Sequence, residues 1–228
     1  VYNEDKTIKK ILKKINTLKI WNDSNFQKEI IVVDDKSTDE TSKILKENSD
    51  LFSKLITNER NYGKGFSVKK ALEVSTGNYI LIQDADEEYD PNDYEKFIEC
   101  IQKFNADLVI GSRFIYDKYT RSHNFFNKVG NTLITFLFNL IYNTTFTDIY
   151  CCYCLFNKEN LPISKLKSMG WGQQAEILTY LAKNSDLIFE TAVNYNGRKY
   201  AEGKKIRYYH VIEVIYWIAI TKLKTLIK

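Results

Sequence analysis

The sequence predicts an α/β fold in which a mostly parallel sheet carries helices on both of its faces. The first observation is the alternation of strand and helix signals across residues 1–113, which is typical of parallel strands joined by helices. The second is that charged or polar residues follow directly after several predicted strands, at the sheet edge where ligands bind in such folds. The chain of 228 residues, 44% of them hydrophobic, is long enough to bury a core as one domain or as two intimate halves.

The first half of the chain alternates in a regular order. Apolar residues at helical spacing, with lysines between them, predict a helix over residues 5–19, and a β-branched run predicts a strand over 29–33. Ser37 and Glu40 have the spacing of a capping box, so we expect the next helix to begin there and to run through Leu45. The same signals predict the remaining elements of this half, which are strands over 54–57, 79–82 and 107–110 and helices over 66–74 and 92–104.

The second half is less regular. Its predicted elements are an aromatic-rich helix over 125–142, a strand within 147–156, a helix over 174–183 and a strand over 187–193. A polar loop with net positive charge, 196–205, leads into a last helix over about 208–227. This helix carries Trp217, several tyrosines and several lysines, which suits an amphipathic helix in a membrane interface. A helix that packs on the domain and displays its lysines to water has the same pattern, so both interpretations stay open.

Composition and charge limit the classes of function. The net charge of +4 suits a phosphate-bearing ligand or an anionic membrane surface and is too weak to indicate nucleic-acid binding. Because no window reaches the ~18 uninterrupted apolar residues of a membrane span, we expect any membrane contact to be peripheral. The cysteines lack the spacing of a zinc site and are interpreted as buried thiols in a reducing cytosol: Cys100, Cys151, Cys152 and Cys154. The sequence opens on Val-Tyr-Asn-Glu and leads directly into a helix, without the residues of a first strand. We therefore expect it to be a fragment or to have been trimmed at its front.

The stretch with the clearest chemistry begins in the short apolar strand over 79–82 and ends in carboxylates. Four acidic side chains lie within residues 84–88, where they repel one another. A divalent cation offers a reason to collect them, since Mg²⁺ prefers oxygen ligands and takes one or two carboxylates plus substrate phosphates. The Asp-x-Asp spacing at a strand end directs Asp84 and Asp86 toward the same point. The alternative interpretation is a solvated acidic turn that leads into the next helix.

The order of short motifs along the chain resembles the family 2 glycosyltransferases. In the first half these motifs are Val-Tyr-Asn-Glu at 1–4, Val-Asp-Asp-Lys-Ser-Thr-Asp at 33–39, Asn-Tyr-Gly-Lys-Gly at 61–65, Asp-Ala-Asp at 84–86 and Gly-Ser-Arg at 111–113. In the second half, the motifs similar to the branch of dolichol- and polyprenol-phosphate sugar synthases are Thr-Asp at 147–148, Gly-Trp-Gly-Gln-Gln-Ala-Glu at 170–176, Tyr-Asn-Gly-Arg at 195–198 and Glu-Gly-Lys-Lys at 202–205. The resemblance implies a GT-A fold, which is Rossmann-like, and inversion at the anomeric carbon of the sugar.

The resemblance also implies roles for the residues at matching positions. The donor nucleotide would be bound by Tyr2, Asn3, Glu4, Asp35, Asn61, Lys64 and Asp84. A Mg²⁺ or Mn²⁺ cofactor would be held by Asp84, Asp86 and Glu88, with Asp86 as the principal ligand. The phosphate of the acceptor would meet the cations Arg113, Arg121, Arg198 and Lys199. Asp84 and Asp86 thereby count as catalytic residues. Asp148 is the one plausible general base by its chemistry, and an equal alternative is that it orients the cationic cluster or accepts hydrogen bonds from backbone donors.

Some residues depart from the family pattern or have a second interpretation. Cys-Cys-Tyr-Cys at 151–154 is unusual after Thr-Asp, and Gln-Gln-Ala at 173–175 replaces the more usual aromatic residue and Pro before Glu176. The acceptor side therefore departs from the pattern more than the donor side does. Asp35 has an alternative role as a cap of the following helix, and Arg113 as the partner of a surface carboxylate.

The chemistry of the acceptor separates two enzyme hypotheses. A sugar hydroxyl must lose its proton, so it needs a positioned carboxylate or histidine as general base. A lipid phosphate, with a second pKa of about 6, is already anionic at neutral pH and needs cations instead. The acceptor half offers several cations, while His123 and His210 adjoin no recognised motif. This composition favours the lipid phosphate.

The leading hypothesis is an inverting, metal-dependent transferase that moves a hexose from GDP-mannose or UDP-glucose to a polyprenyl or dolichyl phosphate. It would act as a peripheral protein at the cytoplasmic face of a membrane, with no nucleic acid as partner. Residues 1–207 would form the GT-A domain, with 1–120 as its nucleotide-sugar half and 121–207 as its acceptor half, and 208–228 would form the amphipathic helix. Two alternatives stay open: a family 2 enzyme that extends a cell-surface glycan with Asp148 as base, and a non-catalytic module that binds nucleotide or docks on a membrane.

Overall fold

Two sheets carry the segments on which the predicted site residues lie. The computed structural model describes residues 1–23, 26–115, 124–198 and 210–226. Strand β1 (Ile31–Asp34) pairs in parallel with β2 (Lys54–Thr57). The second sheet has the strand order β3, β5, β4, β6 and consists of β3 (Tyr79–Leu81), β4 (Leu108–Ser112), β5 (Cys154–Asn157) and β6 (Ile188–Ala192). Within it β3, β4 and β6 run in one direction and β5 runs against its neighbours, so most strands are parallel, as predicted.

The helices of the described ranges follow the predicted order. They are α1 (Ile8–Asn16), α2 (Ile20–Asp23), α3 (Thr41–Glu47), α4 (Lys64–Val74), α5 (Tyr94–Phe104), α6 (Phe125–Tyr142), α7 (Gln173–Asn184) and α8 (His210–Leu226). Short 3₁₀ turns lie at Ser49–Leu51, Pro91–Asp93, Lys158–Asn160 and Ile163–Lys165. Both β2 and α6 begin and end at the predicted residues, whereas the short α2 was not predicted.

The helix predicted to start at Ser37 begins later, at Thr41. Glu40 precedes it without any side-chain cap, so the predicted capping box is wrong. The Ser37 hydroxyl instead accepts a hydrogen bond from the backbone N–H of Asn3 at 3.0 Å, and the Ser37 N–H donates to the Asp34 carboxylate at 3.0 Å. These contacts hold the segment in a turn beside the first residues of the chain, because tertiary partners compete with the local capping pattern.

The first residue of the chain pairs with the edge of β1 opposite β2. The amino group of Val1 donates to the Val33 carbonyl at 2.7 Å, and the Asp35 N–H donates to the Val1 carbonyl at 2.9 Å. This parallel pairing brings Tyr2 and Glu4 to the carboxyl end of β1. An apolar slot lies between this edge of β1 and β3, and it opens into the cleft that contains the predicted site residues.

The core is centred on β4, all five residues of which are buried. The large buried side chains packed in this core are Phe97, Phe138, Tyr153 and Phe156. Three of the four cysteines lie in it as free, buried thiols, as predicted, whereas Cys100 on α5 is partly exposed. The sheet and the helices that cover it therefore hold the strand ends in fixed positions.

The predicted C-terminal helix is present as α8, which packs against α7 and α6. Val214 and Ile218 are its buried apolar anchors, and the Tyr142 hydroxyl of α6 donates to the Ile218 carbonyl at 2.8 Å. Within the described ranges, none of the helices combines the length and the apolar character that are needed to cross a bilayer.

Candidate active site

The carboxyl ends of β1, β3 and β4 open into one cleft of about 990 Å³. The predicted site residues that line it are Tyr2, Glu4, Asp35, Asn61, Lys64, Asp84, Asp86, Glu88, Arg113 and Arg198. Asn3 lies outside this lining, since its side-chain oxygen accepts a hydrogen bond from the Thr38 N–H at 2.8 Å. Asp148 is buried behind Arg113. The predicted acceptor residues Arg121 and Lys199 lie outside the described residues.

Lys64, the first residue of α4, reaches Asp84 across the cleft. Its Nζ lies 2.6 Å from Oδ1 of Asp84 and 3.5 Å from Sγ of Cys152. Burial alone would raise the pKa of Asp84, but the charge of Lys64 outweighs it and holds that pKa below its ordinary value. Burial would likewise lower the pKa of Lys64, yet the charge of Asp84 raises it overall. The pair therefore stays ionised and places a fixed cation in the part of the cleft assigned to the nucleotide.

Arg198 lies at the centre of three carboxylates. Its guanidinium donates to Oδ2 of Asp86 at 2.7 Å and to both oxygens of Glu4 at 3.2 Å. Its Nε donates to Glu88 at 3.3 Å. Burial, together with the charges of Asp84 and Glu88, nevertheless raises the pKa of Asp86 to about 7. A single guanidinium thus offsets only part of the negative charge that is gathered here.

Glu88 holds the segment that carries Arg198. One carboxylate oxygen accepts a hydrogen bond from the Arg198 N–H at 2.9 Å, and the other accepts one from the Tyr195 hydroxyl at 2.9 Å. The Glu88 carbonyl also accepts from the Asn196 N–H at 2.7 Å. Across the described residues, no three carboxylate, thiol or imidazole side chains are arranged to hold a metal ion. Glu88 is engaged with the neighbouring segment in this structure, and its role as a third metal ligand stays a prediction.

Two carboxylates still fit a divalent cation that a substrate helps to bind. Asp84 and Asp86 each already hold a cationic side chain, Lys64 and Arg198, so each faces a position that stabilises positive charge. Mg²⁺ takes one or two carboxylates and completes its shell with waters and substrate phosphates. The donor set is therefore suited to a cation that arrives together with the diphosphate of a nucleotide.

Asp35 fixes the loop in front of α4. Its carboxylate accepts hydrogen bonds from the Asn58 side chain at 2.7 Å and from the N–H groups of Tyr62 and Gly63 at 2.9 and 2.8 Å. Gly63 has a φ of 96°, and a Cβ there would lie 2.7 Å from the Met169 carbonyl oxygen, so this position requires glycine. The alternative role of Asp35 as a helix cap is wrong, because its oxygens serve this loop. Contact with a nucleotide base stays a prediction.

Asp148 is fully buried and forms a bidentate ion pair with Arg113. Its oxygens lie 2.7 Å and 2.8 Å from Nε and Nη2 of the guanidinium. They also accept hydrogen bonds from the Arg113 N–H at 3.1 Å, the Asn131 side chain at 2.7 Å and the Tyr150 N–H at 3.2 Å. Burial would raise the pKa of Asp148, but the charge of Arg113 outweighs it and lowers that pKa. A carboxylate so shielded and so well supplied with donors is a poor general base.

Sequence reasoning missed three residues that position these groups: Asn58, Asn131 and Tyr195. Asn58 and Asn131 are 1% and 9% exposed, and each donates its side-chain amide to a buried aspartate. The available signal for Asn131 was its position on the buried side of α6. An amide is rarely buried without a hydrogen-bond partner, so its presence there indicates one. Tyr195 is the first residue of the Tyr-Asn-Gly-Arg motif at 195–198. Its hydrogen bond to Glu88 could not be predicted, because it depends on tertiary structure.

The sequence matches a known protein family and proteins of other organisms. A family model described as glycosyl transferase family 2 matches residues 1–161. The chain is 31% identical over 219 residues to the uncharacterized protein MJ0544 of Methanocaldococcus jannaschii, a match that covers 90% of this chain and 91% of that protein. It is 26% identical over 218 residues to the dolichyl-phosphate beta-glucosyltransferase ALG5D of Trichomonas vaginalis. That match covers 90% of this chain and 66% of the relative, so the relative is the longer protein.

The fold also matches solved structures. Glucosyl-3-phosphoglycerate synthase from Mycobacterium tuberculosis, solved with Mn²⁺, uridine diphosphate and phosphoglyceric acid, superposes with a TM-score of 0.66 at 16% identity. The superposition covers 97% of this chain and 76% of that chain. At this identity the match concerns the fold, and it confirms the predicted GT-A class with helices on both sides of the sheet.

Proposed function

We propose, because the chain belongs to glycosyltransferase family 2, that it moves a hexose from a nucleotide sugar to a polyprenyl or dolichyl phosphate. Glycosyl transfer itself follows from the family, while the donor, the metal and the lipid acceptor are the proposal. A dolichyl-phosphate glucosyltransferase that is similar over 90% of this chain supports the choice of acceptor. We also propose the division at residues 207 and 208 and a peripheral position on a membrane.

The observation that carries the acceptor assignment is the burial of Asp148 in its pair with Arg113. The carboxylate accepts five hydrogen bonds, and the charge of Arg113 lowers its pKa. A hydroxyl acceptor needs a base that can take a proton near neutral pH, and Asp148 is unsuited to that task. An acceptor phosphate is already ionised, so it requires cations such as the guanidinium that Asp148 orients.

At the donor end, Lys64 and the two aspartates would hold the diphosphate of the nucleotide sugar. Lys64 lies beside Asp84 and can turn from that carboxylate to a phosphate oxygen by rotation of its side chain. A bound divalent cation would supply positive charge that stabilises the departing diphosphate. Asp84 and Asp86 would hold that cation in the cleft, and the loop fixed by Asp35 would lie beside the nucleotide.

At the acceptor end, Arg113 and Arg198 would bind the phosphate. Arg113 lines the cleft, is fixed from behind by Asp148, and lies 5.1 Å from the centre of the Tyr195 ring. Arg198 is held on Asp86 in this structure and would be released when a divalent cation takes its place. Asp148 already accepts from Nε and Nη2 of Arg113, so Arg113 would offer its remaining N–H donors to the phosphate, together with the guanidinium of Arg198. The roles of Arg121 and Lys199 in binding the acceptor phosphate stay predictions.

The proposal is tested by transfer from labelled donors to a lipid in detergent. Purified protein is incubated with Mn²⁺ or Mg²⁺, labelled UDP-glucose or GDP-mannose, and polyprenyl phosphate. We expect label in the organic phase as a lipid product that mild acid releases. The dephosphorylated polyprenol is the matched control and should accept no sugar. Transfer to a glycan hydroxyl, without any lipid product from either donor, would overturn the acceptor assignment and favour the glycan-extending alternative.

Arg198→Gln is expected to strengthen the binding of Mn²⁺ to the nucleotide-free protein on the order of tenfold. The substitution removes the positive charge of the guanidinium, which competes with Mn²⁺ for the carboxylates. The reason is that the guanidinium lies 2.7 Å from Asp86, where the cation would bind. Titration calorimetry or the paramagnetic resonance of Mn²⁺ measures this affinity directly. In the same variant the KM for the lipid phosphate should rise, because the phosphate loses a guanidinium.

The matched control for this prediction is Lys10→Gln. Lys10 pairs at 3.3 Å with Glu87, a neighbour of Asp86, and both side chains are well exposed. An exposed pair has little effect on its surroundings, so this variant should bind Mn²⁺ as the wild type does. Equal Mn²⁺ affinity in all three proteins would show that Arg198 does not compete with the cation.

A further inference from the structure

Helix α6 presents apolar side chains on two opposite faces. One face is buried in the protein through Asn131, Ile134, Thr135 and Phe138. The opposite face is exposed and carries Phe125, Phe126, Val129, Leu133, Phe136 and Leu140, each between 48% and 79% exposed. At about 100° per residue these six positions fall within an arc of roughly 100°. A long, continuous apolar face is expected to be covered by protein or by lipid and not to be left in water.

The charges around this exposed face are of one sign. The eighteen residues of α6 include no aspartate or glutamate, and their one charged side chain is the exposed Lys128. The neighbouring helix α8 also has an exposed apolar row, Ile212, Ile215, Tyr216 and Leu223. Its one acidic residue, Glu213, accepts a hydrogen bond from the Gly172 N–H at 3.1 Å. Lys224, which follows Leu223 in the sequence and lies beside the row on the helix, is also exposed. Apolar rows accompanied by lysines are typical of helices that lie in the surface of an anionic bilayer.

The exposed face of α6 meets the mouth of the cleft. Phe126 belongs to the apolar row and also lines the cleft, together with Asn127, Lys128 and Asn131. Asn131 in turn donates to Asp148, which holds Arg113. A molecule anchored by an apolar tail at the face of α6 would therefore have its polar end in the cleft that Arg113 lines.

We propose that the exposed rows of α6 and α8 dock the protein on the surface of an anionic lipid bilayer, with α6 lying in the plane of the interface. Because α6 is buried along one side and no described helix can cross a bilayer, it would lie in the surface and not span it. The row on α6 runs from Phe125 to Leu140. It is about 23 Å long and ~10 Å wide, which is small beside the ~800 Å² that each partner buries in a stable dimer. A lipid surface needs no matching shape and accepts such a row directly.

This surface deepens the proposed function, since it would let a polyprenyl phosphate enter the cleft from the bilayer, and in that respect it rests on the lipid acceptor. The binding of the protein to vesicles does not depend on sugar transfer, so the two proposals can fail separately.

The test is co-sedimentation of the full chain with vesicles of phosphatidylcholine and phosphatidylglycerol in equal parts. The double variant Phe136→Ser and Leu140→Ser should lose tenfold or more in vesicle binding, since two large apolar contacts are removed. The matched control is Phe104→Ser and Leu187→Ser, which removes the same two residue types at positions that are 52% and 45% exposed outside the row. This control should bind vesicles as the wild type does. Vesicles of pure phosphatidylcholine should bind the wild type more weakly.

Equal vesicle binding by the wild type and the α6 variant would overturn the docking surface. A wild-type dimer in analytical ultracentrifugation that the α6 variant dissociates, without vesicle binding by either, would also overturn it in favour of an interface between copies. Transfer to a short, water-soluble prenyl phosphate should persist in the α6 variant, because the cleft is unchanged. Vesicle binding that depends on α6, without transfer to any prenyl phosphate, would support the docking surface and overturn the lipid acceptor.

Discussion

Asp86→Asn is expected to lower kcat for sugar transfer by roughly 10²–10³-fold, the loss typical of removing one group that stabilises the charge of a transition state. Asp86 and Asp84 are the two carboxylates suited to a cation, and Asp86 has the greater surplus of negative charge around it. The amide keeps the shape of the side chain but loses the charge that would retain the cation. Steady-state transfer assays at saturating donor and acceptor measure the change.

The loss of activity should occur without a loss of stability. Burial and the neighbouring carboxylates raise the pKa of Asp86 to about 7, above its value of ~3.9 in an unfolded chain. The folded state therefore binds more protons than the unfolded state between these values, and ionised Asp86 lowers the free energy of unfolding above pH 7. We expect the melting temperature of the variant at pH 8, without metal, to equal or exceed that of the wild type.

The control for Asp86 is Glu87→Gln, an adjacent substitution at a side chain that is 51% exposed and paired with the exposed Lys10. It removes the same charge one residue away and should leave kcat close to the wild-type value. Full transfer by Asp86→Asn would contradict the assignment of this carboxylate. Equal losses in both variants would indicate that overall negative charge matters and not the position of Asp86.

The fold could be predicted to a large extent because its signals are local. The run Lys-Leu-Ile-Thr at 54–57 forms β2 as predicted, and α6 begins at Phe125 and ends at Tyr142 as predicted. The start of α3 could not be predicted, because the Ser37 hydroxyl finds its partner in Asn3, 34 residues away. Local sequence propensity sets where a helix or strand begins and ends when no tertiary contact competes with it.

The convergence of the site residues in one cleft could also be predicted, since the carboxyl ends of parallel strands meet at one edge. The partners of those residues could not. Arg198 and Asp86 are 112 residues apart, and the guanidinium was assigned to the acceptor phosphate and not to this carboxylate. Motifs identify which residue types the chemistry needs, but the pairing of charges in the absence of ligand depends on distances that only the fold sets.

Asp148→Asn is expected to lower the free energy of unfolding by about 3 kcal/mol or more, because it leaves the Arg113 guanidinium in a largely buried position without its charged partner. The Asp148 side chain is fully buried, and that of Arg113 is 15% exposed. Urea denaturation at pH 7 measures the difference, with Asp50→Asn at an exposed position as the control that should unfold like the wild type.

The dependence of this difference on pH has a definite sign. Arg113 holds the folded pKa of Asp148 below its ordinary value, against the effect of burial. The contribution of Asp148 to stability is therefore complete above the unfolded pKa of ~3.9 and is lost as the pH falls through the lower folded value. The gap between the wild type and Asp148→Asn should be constant from pH 5 to 8 and should narrow below about pH 4. A gap that closes near neutral pH would contradict the pairing.

Loss of sugar transfer in Asp148→Asn alone does not separate a general base from a residue that orients Arg113, because the variant disturbs both. Asp148→Leu combined with Arg113→Met removes both charges, and replacing a buried ion pair by apolar residues of similar volume is often neutral or stabilising. We expect this double variant to recover only part of the stability, because the Asn131 amide and the N–H groups of Arg113 and Tyr150 still lose their acceptor. It should remain poor at transfer, with a raised KM for the lipid phosphate. Arg113→Met with Asp148 intact leaves the carboxylate in place as a potential base. If that variant transferred sugar to a hydroxyl acceptor at an undiminished rate, Asp148 would act as a base and not as the support of a phosphate-binding arginine.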